Sequence, residues 1–531
     1  MKQITTPNSA DYGASHGGNP DGAGPPNSEP PGMARARHPL SRQHGRRLFL
    51  QAGAAYLYSG AALAASATGG SSTTLASTAG NPAARSMASA ANGAVTSPAA
   101  AANTTPYQWR NWSGTQQCTA RALNTPANAA EVAQILKQSS ASVRCVGSGH
   151  SFSALVPTDG VLVSLDRMSG VALASPASVS GTASVTVAGG TRLAVLSRQL
   201  DTLKLGMRNL PDIDQQSIVG AISSATHGTG AELPALHADV SGLQLVTAQG
   251  DTIECNAGNR PELLAAARVS LGALGVITQV TLNVLPAYNL KRDVWIEPLD
   301  TLLGRAHQLA AKHRHFEFYY LPFTGYCAAI AHDVVSASEV IMPPSQDEAM
   351  LADLQKLRNW GGRWPSLRRW LAGKLIDTSL KEKAQNRSFK LLSTPRPTRF
   401  YETEAHVPRE AGIDCVKAVI ATLETRNEVF FPLEFRFVKG DDAWLSPFYQ
   451  RDSCSVAVHA LHGEDYAYLL SAIGPVVRRF KARPHWGKLH AYTPQELALL
   501  YPRWQDFLSL RQSLDPQQRF LNPHLRQLFA A

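Results

Sequence analysis

Gly147-Ser148-Gly149-His150-Ser151 follows the stretch Val143-Arg144-Cys145-Val146. A strand broken at once by a glycine-permitted turn can aim successive backbone N–H groups at one anion, such as a pyrophosphate. The turn lacks the Gly-Lys-Ser/Thr of a Walker loop, and it lacks the third glycine and following helix of the dinucleotide fingerprint. Further along, Ser217 to Gly230 again gathers small residues and hydroxyls, here around His227-Gly228. Two such segments suit close backbone approach to opposite sides of an extended phosphorylated cofactor; two ordinary tight turns would read the same way. Glu434 and Arg436 stand two apart in a stretch that reads as a strand, so both side chains project from one face. A paired clamp on a polar substrate needs that spacing, and a surface ion pair shares it.

The elements that must position these residues read as α+β. Thr125-Pro126 has the form of a helix start, with Val132, Ile135 and Leu136 at helical spacing and an end near Ser140. Strands are expected at Val143 to Val146, Val161 to Leu165, Ser184 to Ala188 and Asp239 to Thr247, and at Val276 to Val284 with alternate residues on one face. Thr191 reads as the cap of a helix whose Leu193, Leu196 and Leu200 face one way. From Tyr288 the texture turns charged and aromatic, with a Trp/Arg-rich helical and loop-like patch at Arg358 to Lys374. Strands return at Phe430 to Val438 and Ser455 to Leu461. Short strands and helices mixed in this order, with no internal repeat, give the class.

The chain has 531 residues, 44% hydrophobic and 17% charged, enough for two or more domains with substantial cores. Its net charge is +10, part of it before Tyr107, and the mild remainder forms no Lys/Arg block. That balance fits small anionic ligands and argues against nucleic acid as a partner. The six cysteines are scattered with no C-x-x-C and no Cys/His cluster. Free thiols are expected, a disulfide scaffold and the common zinc sites are excluded, and no metal site is predicted.

Arg46-Arg47-Leu48-Phe49-Leu50-Gln51 opens a short run of small apolar residues, Ala52 to Ala64, followed by Ser/Thr/Ala-rich sequence. This is a twin-arginine signal pattern, and it is too short and too poor in strongly apolar residues for a membrane span. Residues 33–64 are therefore read as an export signal, placing the protein in the periplasm or at a membrane. Residues 1–32 read as a disordered or untranslated extension and 65–106 as a low-complexity linker. Twin-arginine export carries folded proteins, which suits an enzyme loaded with a cofactor before crossing.

Taken along the chain, Arg144 through Ser153, then Thr158-Asp159-Gly160, Leu165-Asp166, Gly189-Gly190, Ala225 through Gly230 and Ser270 through Ile277 form one ordered series. Glu434-Phe435-Arg436-Phe437, Asp441-Asp442, Leu445-Ser446-Pro447, Arg451-Asp452 and Pro484 through Lys488 continue it. The series resembles the sugar-1,4-lactone oxidases of the vanillyl-alcohol oxidase superfamily of FAD enzymes, collinearly from Trp109 to the C-terminus.

The resemblance implies a two-domain PCMH-type FAD-binding fold. It assigns residues 107–287 to the FAD-binding domain, 288–485 to a substrate (cap) domain and 486–531 to a C-terminal segment completing the active site. Gly147, Ser148, Gly149, His150 and Ser151 are then expected to wrap the FAD pyrophosphate. Ser223, Thr226, His227, Gly228, Gly230, Gly275 and Ile277 are expected to line the flavin and adenosine. His150 stands where the family's oxidases attach FAD covalently, and no cysteine stands where a second bond is obvious. Glu434, Arg436 and Lys488 match residues that face the flavin and substrate. His459 aligns with a pocket histidine of alditol oxidases, although Ala460-Leu461 departs from that pattern and a core histidine is equally consistent.

The implied reaction is hydride transfer from C2 of a sugar lactone to flavin. Arg436 and Lys488 would stabilise the developing alkoxide, and Glu434 would orient hydroxyls or accept the proton. Electrons would pass to O2, giving H2O2, or to a respiratory, cytochrome-type acceptor. An alditol or polyol oxidase and a catalytically silent flavin-binding protein are the alternatives. The resemblance also implies a small residue that governs oxygen access, expected within Ile218 to Ala221 without being singled out.

Overall fold

The computed structural model describes residues 105–175, 183–344, 347–376, 378–379, 381–394 and 397–531. The extension, the signal and nearly all of the linker read from the sequence lie outside them. A two-stranded ribbon, Tyr107–Arg110 with Gln117–Ala120, leads into a small parallel sheet ordered Ala122–Asn124, Val161–Ser164, Val143–Val146. Helix Ala129–Gln138 makes the crossover, burying Val132 and Leu136. Its cap is Asn128, which accepts from the Glu131 N–H, and not Thr125: the Glu131 carboxylate bonds back to the Ala127 N–H, fixing the first turn three residues later than the sequence reading.

An antiparallel sheet follows, ordered Thr252–Asn256, Val240–Val246, Val276–Pro286, Ala183–Ala188, Val171–Ser175. In its central strand Val276, Thr278, Val280, Leu282 and Val284 are all buried, as the period-two pattern requires. Helix Leu193–Thr202 buries Leu193, Leu196 and Leu200, but Thr191 does not cap it: the Thr191 hydroxyl donates to the Ala188 carbonyl, and Arg192 is the cap position.

The central strand of this sheet ends at Pro286, and the next strand of the chain, Asn289–Pro298, belongs to an eight-stranded antiparallel sheet. Its order is Lys381–Arg387, Asn289–Pro298, Tyr326–Val335, His315–Leu321, Leu433–Val438, Ser453–Leu461, Phe400–Pro408, Arg483–Pro484. Its aromatic core includes Phe316, Phe318, Phe435 and Phe437, with the Phe318 and Phe435 rings stacked at 4.8 Å. The Trp/Arg-rich patch is two helices, Asp347–Gly361 and Pro365–Leu375.

After Pro484 the chain returns to the first core, where Trp486, Tyr501, Trp504, Phe507 and Phe529 pack with the strands of the first antiparallel sheet. Two bonds stitch this return to the glycine turn: the Phe152 N–H donates to the Gly487 carbonyl at 2.7 Å, and the Ser153 hydroxyl to the Trp486 carbonyl at 2.6 Å. All six cysteines are free thiols.

Candidate functional site

The glycine turn opens on a cleft of about 1040 Å3 bounded by Gly147 to Ser151, Gly189-Gly190, Gln216-Ser217, Gly220, Ser223 and the Gly275–Ile277 strand start. Several of these positions have no room for a side chain. A Cβ on Gly147 would lie 2.6 Å from Ser217 Oγ, one on Gly190 1.8 Å from the Leu165 carbonyl oxygen, and one on Gly275 2.7 Å from that of Val246. Gly149 also takes a φ of +71°, which disfavours any Cβ. At these positions the wall is therefore bare backbone, as close approach to a long, polar, phosphorylated ligand requires. Buried Gln216 Oε1 has no protein partner at the cleft wall. The cleft fits a dinucleotide such as FAD, held by the two glycine-rich segments and the Gly275–Ile277 strand start. His150 projects beside it, 5.3 Å centroid to centroid from Trp112. Burial, with Lys488 and Arg192 nearby, holds its pKa down to about 4, so the imidazole is neutral at ordinary pH.

Gln216 also borders a second cavity, of about 640 Å3, lined by Asp212, Thr226, His227, Tyr319, Glu402, Glu404, Glu434, Arg436, His459, His485 and Lys488. Strand register explains why so many ionisable groups meet there. Glu317 pairs across with Arg436, Arg436 with Ser455, and Ser455 with His406. One step along, Tyr319 pairs with Glu434, Glu434 with Ala457, and Ala457 with Glu404. Residues directly opposite share a face, so these rows present their side chains together.

Three carboxylates converge on one guanidinium. Arg436 Nε donates to Glu317 at 2.6 Å, Nη2 lies 2.6 Å from Asp212, and Glu434 contacts Nη2 as well. The Tyr319 hydroxyl donates to Glu434 at 2.8 Å and lies 3.2 Å from Asp212. Lys488 pairs with Glu402, and His227 with Glu404 at 2.9 Å. Carboxylates thus outnumber the permanent cations, and burial works against the ionisation of several of them. Burial pushes Glu317 up to about 7, with Asp212 and Glu434 adding to it against Arg436. Burial also raises Glu434 and Glu402. At Glu404 the pull of burial is outweighed by His227 and His485, which hold it well below the usual carboxylate range. Arg436 is held firmly charged by Asp212, Glu434 and Glu317 despite burial. Sets of ligand-type atoms such as His227, Glu404 and His485 fall within 4.8 Å of one another, but His227 and Glu404 already bond each other and His485 Nδ1 accepts from the Gly487 N–H. A cavity so built can bind a hydroxyl-rich neutral molecule, hold a positive field against an oxyanion and take up a proton at a carboxylate.

The structure brings Glu434, Arg436, Lys488 and His459 together in this cavity. His459 Nδ1 sits 3.1 Å from the Pro432 carbonyl oxygen, and Nε2 sits 3.7 Å from Glu402. Gly147 to Ser151, Ser223, Gly275 and Ile277 line the first cleft. Thr226 and His227 do not: they face the second cavity, because the chain leaves helix Ile218–Ser223 there and turns toward the large sheet. Gly228 and Gly230 border neither. A Cβ on Gly228 would strike the Leu210 carbonyl oxygen at 2.3 Å, and the Gly230 N–H donates to Phe437 O, so both glycines thread a tight passage between the sheets. Sequence reasoning missed Asp212, Glu317, Tyr319, Glu402, Glu404 and Gln216 as site residues. The available signal was the alternation of polar and apolar residues in His315–Leu321 and Phe400–Pro408.

Residues 280–528 match the family described as D-arabinono-1,4-lactone oxidase, and residues 120–256 match one described as an FAD binding domain. An L-gulono-1,4-lactone dehydrogenase of Mycobacterium tuberculosis is 36% identical over 430 residues, covering 79% of this chain and 98% of that protein. The L-gulonolactone oxidase of Mus musculus is 30% identical over 439 residues, covering 80% and 98%. Among solved structures, a solvent-stable cholesterol oxidase superposes with a TM-score of 0.66 at 19% identity, over 80% of this chain and 97% of that one, which establishes a shared fold.

Proposed function

The chain belongs to the sugar-1,4-lactone oxidase family of FAD-dependent oxidoreductases, and from that premise we propose that it oxidises the C2 hydroxyl of a sugar 1,4-lactone of the gulono-, galactono- or arabinono- type. The observation that carries this reading is the adjacency of the two cavities through Gln216. A dinucleotide cleft opens beside a cavity where Glu434, Arg436 and Lys488 meet. When bound, FAD supplies the hydride acceptor.

The rest of the work falls to the chain's own side chains. Arg436 and Lys488 set a positive field where the carbinol oxygen gains negative charge. Their charges are fixed in place beforehand by Asp212, Glu317 and Glu402, so little reorganisation is needed as the reaction proceeds. Glu434, oriented by the Tyr319 hydroxyl, is placed to accept the hydroxyl proton, and its raised pKa brings it nearer to the basicity a general base needs. His459 and Glu402 line the same cavity, where ring hydroxyls of the lactone would meet them.

We propose further that His150 bonds FAD covalently through a ring nitrogen. Its depressed pKa keeps a lone pair available for that bond at neutral pH. Reoxidation by O2, giving H2O2, or by a respiratory, cytochrome-type carrier completes the cycle. Export by the Arg46-Arg47 signal places the enzyme in the periplasm or at a membrane.

Three measurements test these points. Anaerobic addition of L-gulono- or D-arabinono-1,4-lactone should bleach the flavin and yield a 2-keto-lactone. Bleaching only by an alditol, with an aldose as product, overturns the substrate class. In acid-denatured protein the yellow colour should remain with the polypeptide and be lost in His150→Ala. Replacing Arg46 and Arg47 by lysine should trap the protein in the cytoplasm, and unchanged export would remove the signal reading.

A further inference from the structure

The paired helices Asp347–Gly361 and Pro365–Leu375 present a surface that the reaction does not use. Their inner side is fixed: Leu351, Leu354 and Leu357 are buried, and Arg368 lies 4.1 Å over the Phe323 ring while donating to the Asn427 and Val429 carbonyls at 3.1 Å. The outer side therefore has a defined composition. It shows Trp360, Trp364 and Trp370 at 65%, 59% and 59% exposure, and no other described tryptophan is exposed. Arg363, Lys374, Lys381 and Lys383 are exposed in the same stretch, and none of them has an ion-pair partner among the described residues. Two acids of the stretch are matched, Asp353 to Lys356 and Glu382 to Arg292. Exposed Val340 and Ile341 adjoin it, since Ile341 bridges to Gln385 on the edge strand Lys381–Arg387.

Three half-naked indoles on one helical pair are costly to leave in water, and soluble surfaces seldom keep such a group without a use. Indoles prefer the boundary between hydrocarbon and water, and unpaired lysines and arginines beside them match phosphate headgroups. Protein–protein interface cores also favour Trp and Arg, but they are depleted in Lys, which here supplies three of the four unpaired cations. No described helix is long and apolar enough to cross a membrane, so contact would be peripheral.

We propose that this face seats the enzyme on an anionic lipid bilayer, with Trp360, Trp364 and Trp370 at headgroup depth and Arg363, Lys374, Lys381 and Lys383 against lipid phosphates. The full flavin-loaded chain is tested on phosphatidylglycerol and phosphatidylcholine vesicles carrying brominated acyl chains, reading both co-sedimentation and quenching of tryptophan fluorescence. Wild type should sediment with phosphatidylglycerol, be quenched by it and be released by salt. The variant R363E/K374E/K381E/K383E should bind about tenfold or more weakly. W360A/W364A/W370A should lose the quenching, and both variants should keep the flavin spectrum and melting temperature of wild type. Equal sedimentation and quenching of wild type and charge variant overturns the proposal, whatever else holds the chain to the vesicle. So does a wild type that ignores vesicles but forms a dimer split by the tryptophan variant, which would make the face a subunit interface.

Discussion

Arg436 makes a geometric demand that no other cation meets: its Nε serves Glu317 while Nη2 serves Asp212 and Glu434. Lysine offers one compact charge and cannot span these directions. Arg436→Lys is therefore expected to keep flavin and fold yet lower kcat by about 10²- to 10³-fold, the scale of losing one preorganised donor to a developing oxyanion; a steady-state comparison at saturating lactone checks this. Tyr319→Phe acts differently. It removes a donor that favours the ionised form of Glu434, so the Glu434 pKa rises beyond its already raised position and the base is available only at higher pH. The acidic limb of the kcat/KM profile should move to higher pH. An unmoved limb with a merely lower plateau would assign Tyr319 to packing alone.

At the scale of elements, the glycine turn and the short helix behind it form one device. Ser217 caps helix Ile218–Ser223 by accepting from the Gly220 N–H, and the same Oγ occupies the space where a Gly147 side chain would begin. Gly147→Ala should cost flavin occupancy, while Ser217→Ala should cost about 1 kcal/mol of stability through the lost cap. The double variant should hold more flavin than Gly147→Ala alone, as measured by the absorbance ratio of flavin to protein. The turn was legible in the sequence because glycine carries its reason locally, and Glu434 with Arg436 because a two-residue spacing on a strand is local too. Asp212, Glu317, Tyr319, Glu402 and Glu404 were not. Alternation in Glu317-Phe318-Tyr319 and Glu402-Thr403-Glu404 reads like the wet side of an ordinary strand, and only the register of strands distant in sequence shows that this side closes on a cavity. The same limit hid that Thr226 and His227 face the second cavity. Their segment has the right composition, but where the chain turns after Ser223 is decided by packing against Leu210 and Phe437.

For the molecule as a whole, the C-terminal return is a clamp built from cations that bond carbonyls instead of acids. Arg144 donates to Leu155, Gly272, Phe520 and Leu271, and Arg519 to Ala248, Leu136 and Ser139, so both N- and C-terminal parts of the first core depend on residues beyond Asp515. These bonds do not titrate in the ordinary range, so pH dependence of stability comes from buried histidines and carboxylates. Burial holds His315, His485 and His490 down to about 3, and it lowers His332, His406 and His524 too. A depressed folded pKa means that unfolding takes up a proton, so this stability is complete above the unfolded value near 6.5 and is lost as pH falls toward the folded values. Burial acts oppositely on Asp239, raised to about 6, and Glu317, raised to about 7, and it also raises Glu402 and Glu434. Those groups release protons on unfolding, so their stability is complete below the ordinary carboxyl values and is lost as pH rises through the folded ones. Between about 6.5 and 4.5 the two sets oppose, with the histidines more numerous. Below about 4.5 the unfolded carboxyls protonate as well, their opposition ends, and Glu404 and Asp441, both held low, begin to lose their own contribution. The melting temperature should therefore fall gently from pH 6.5 to 4.5 and steeply below it. Thermal unfolding of the flavin-loaded chain across that range checks the sign: a melting temperature that rises on acidification, or one level to pH 4, would mean that the buried histidines are already charged in the folded protein.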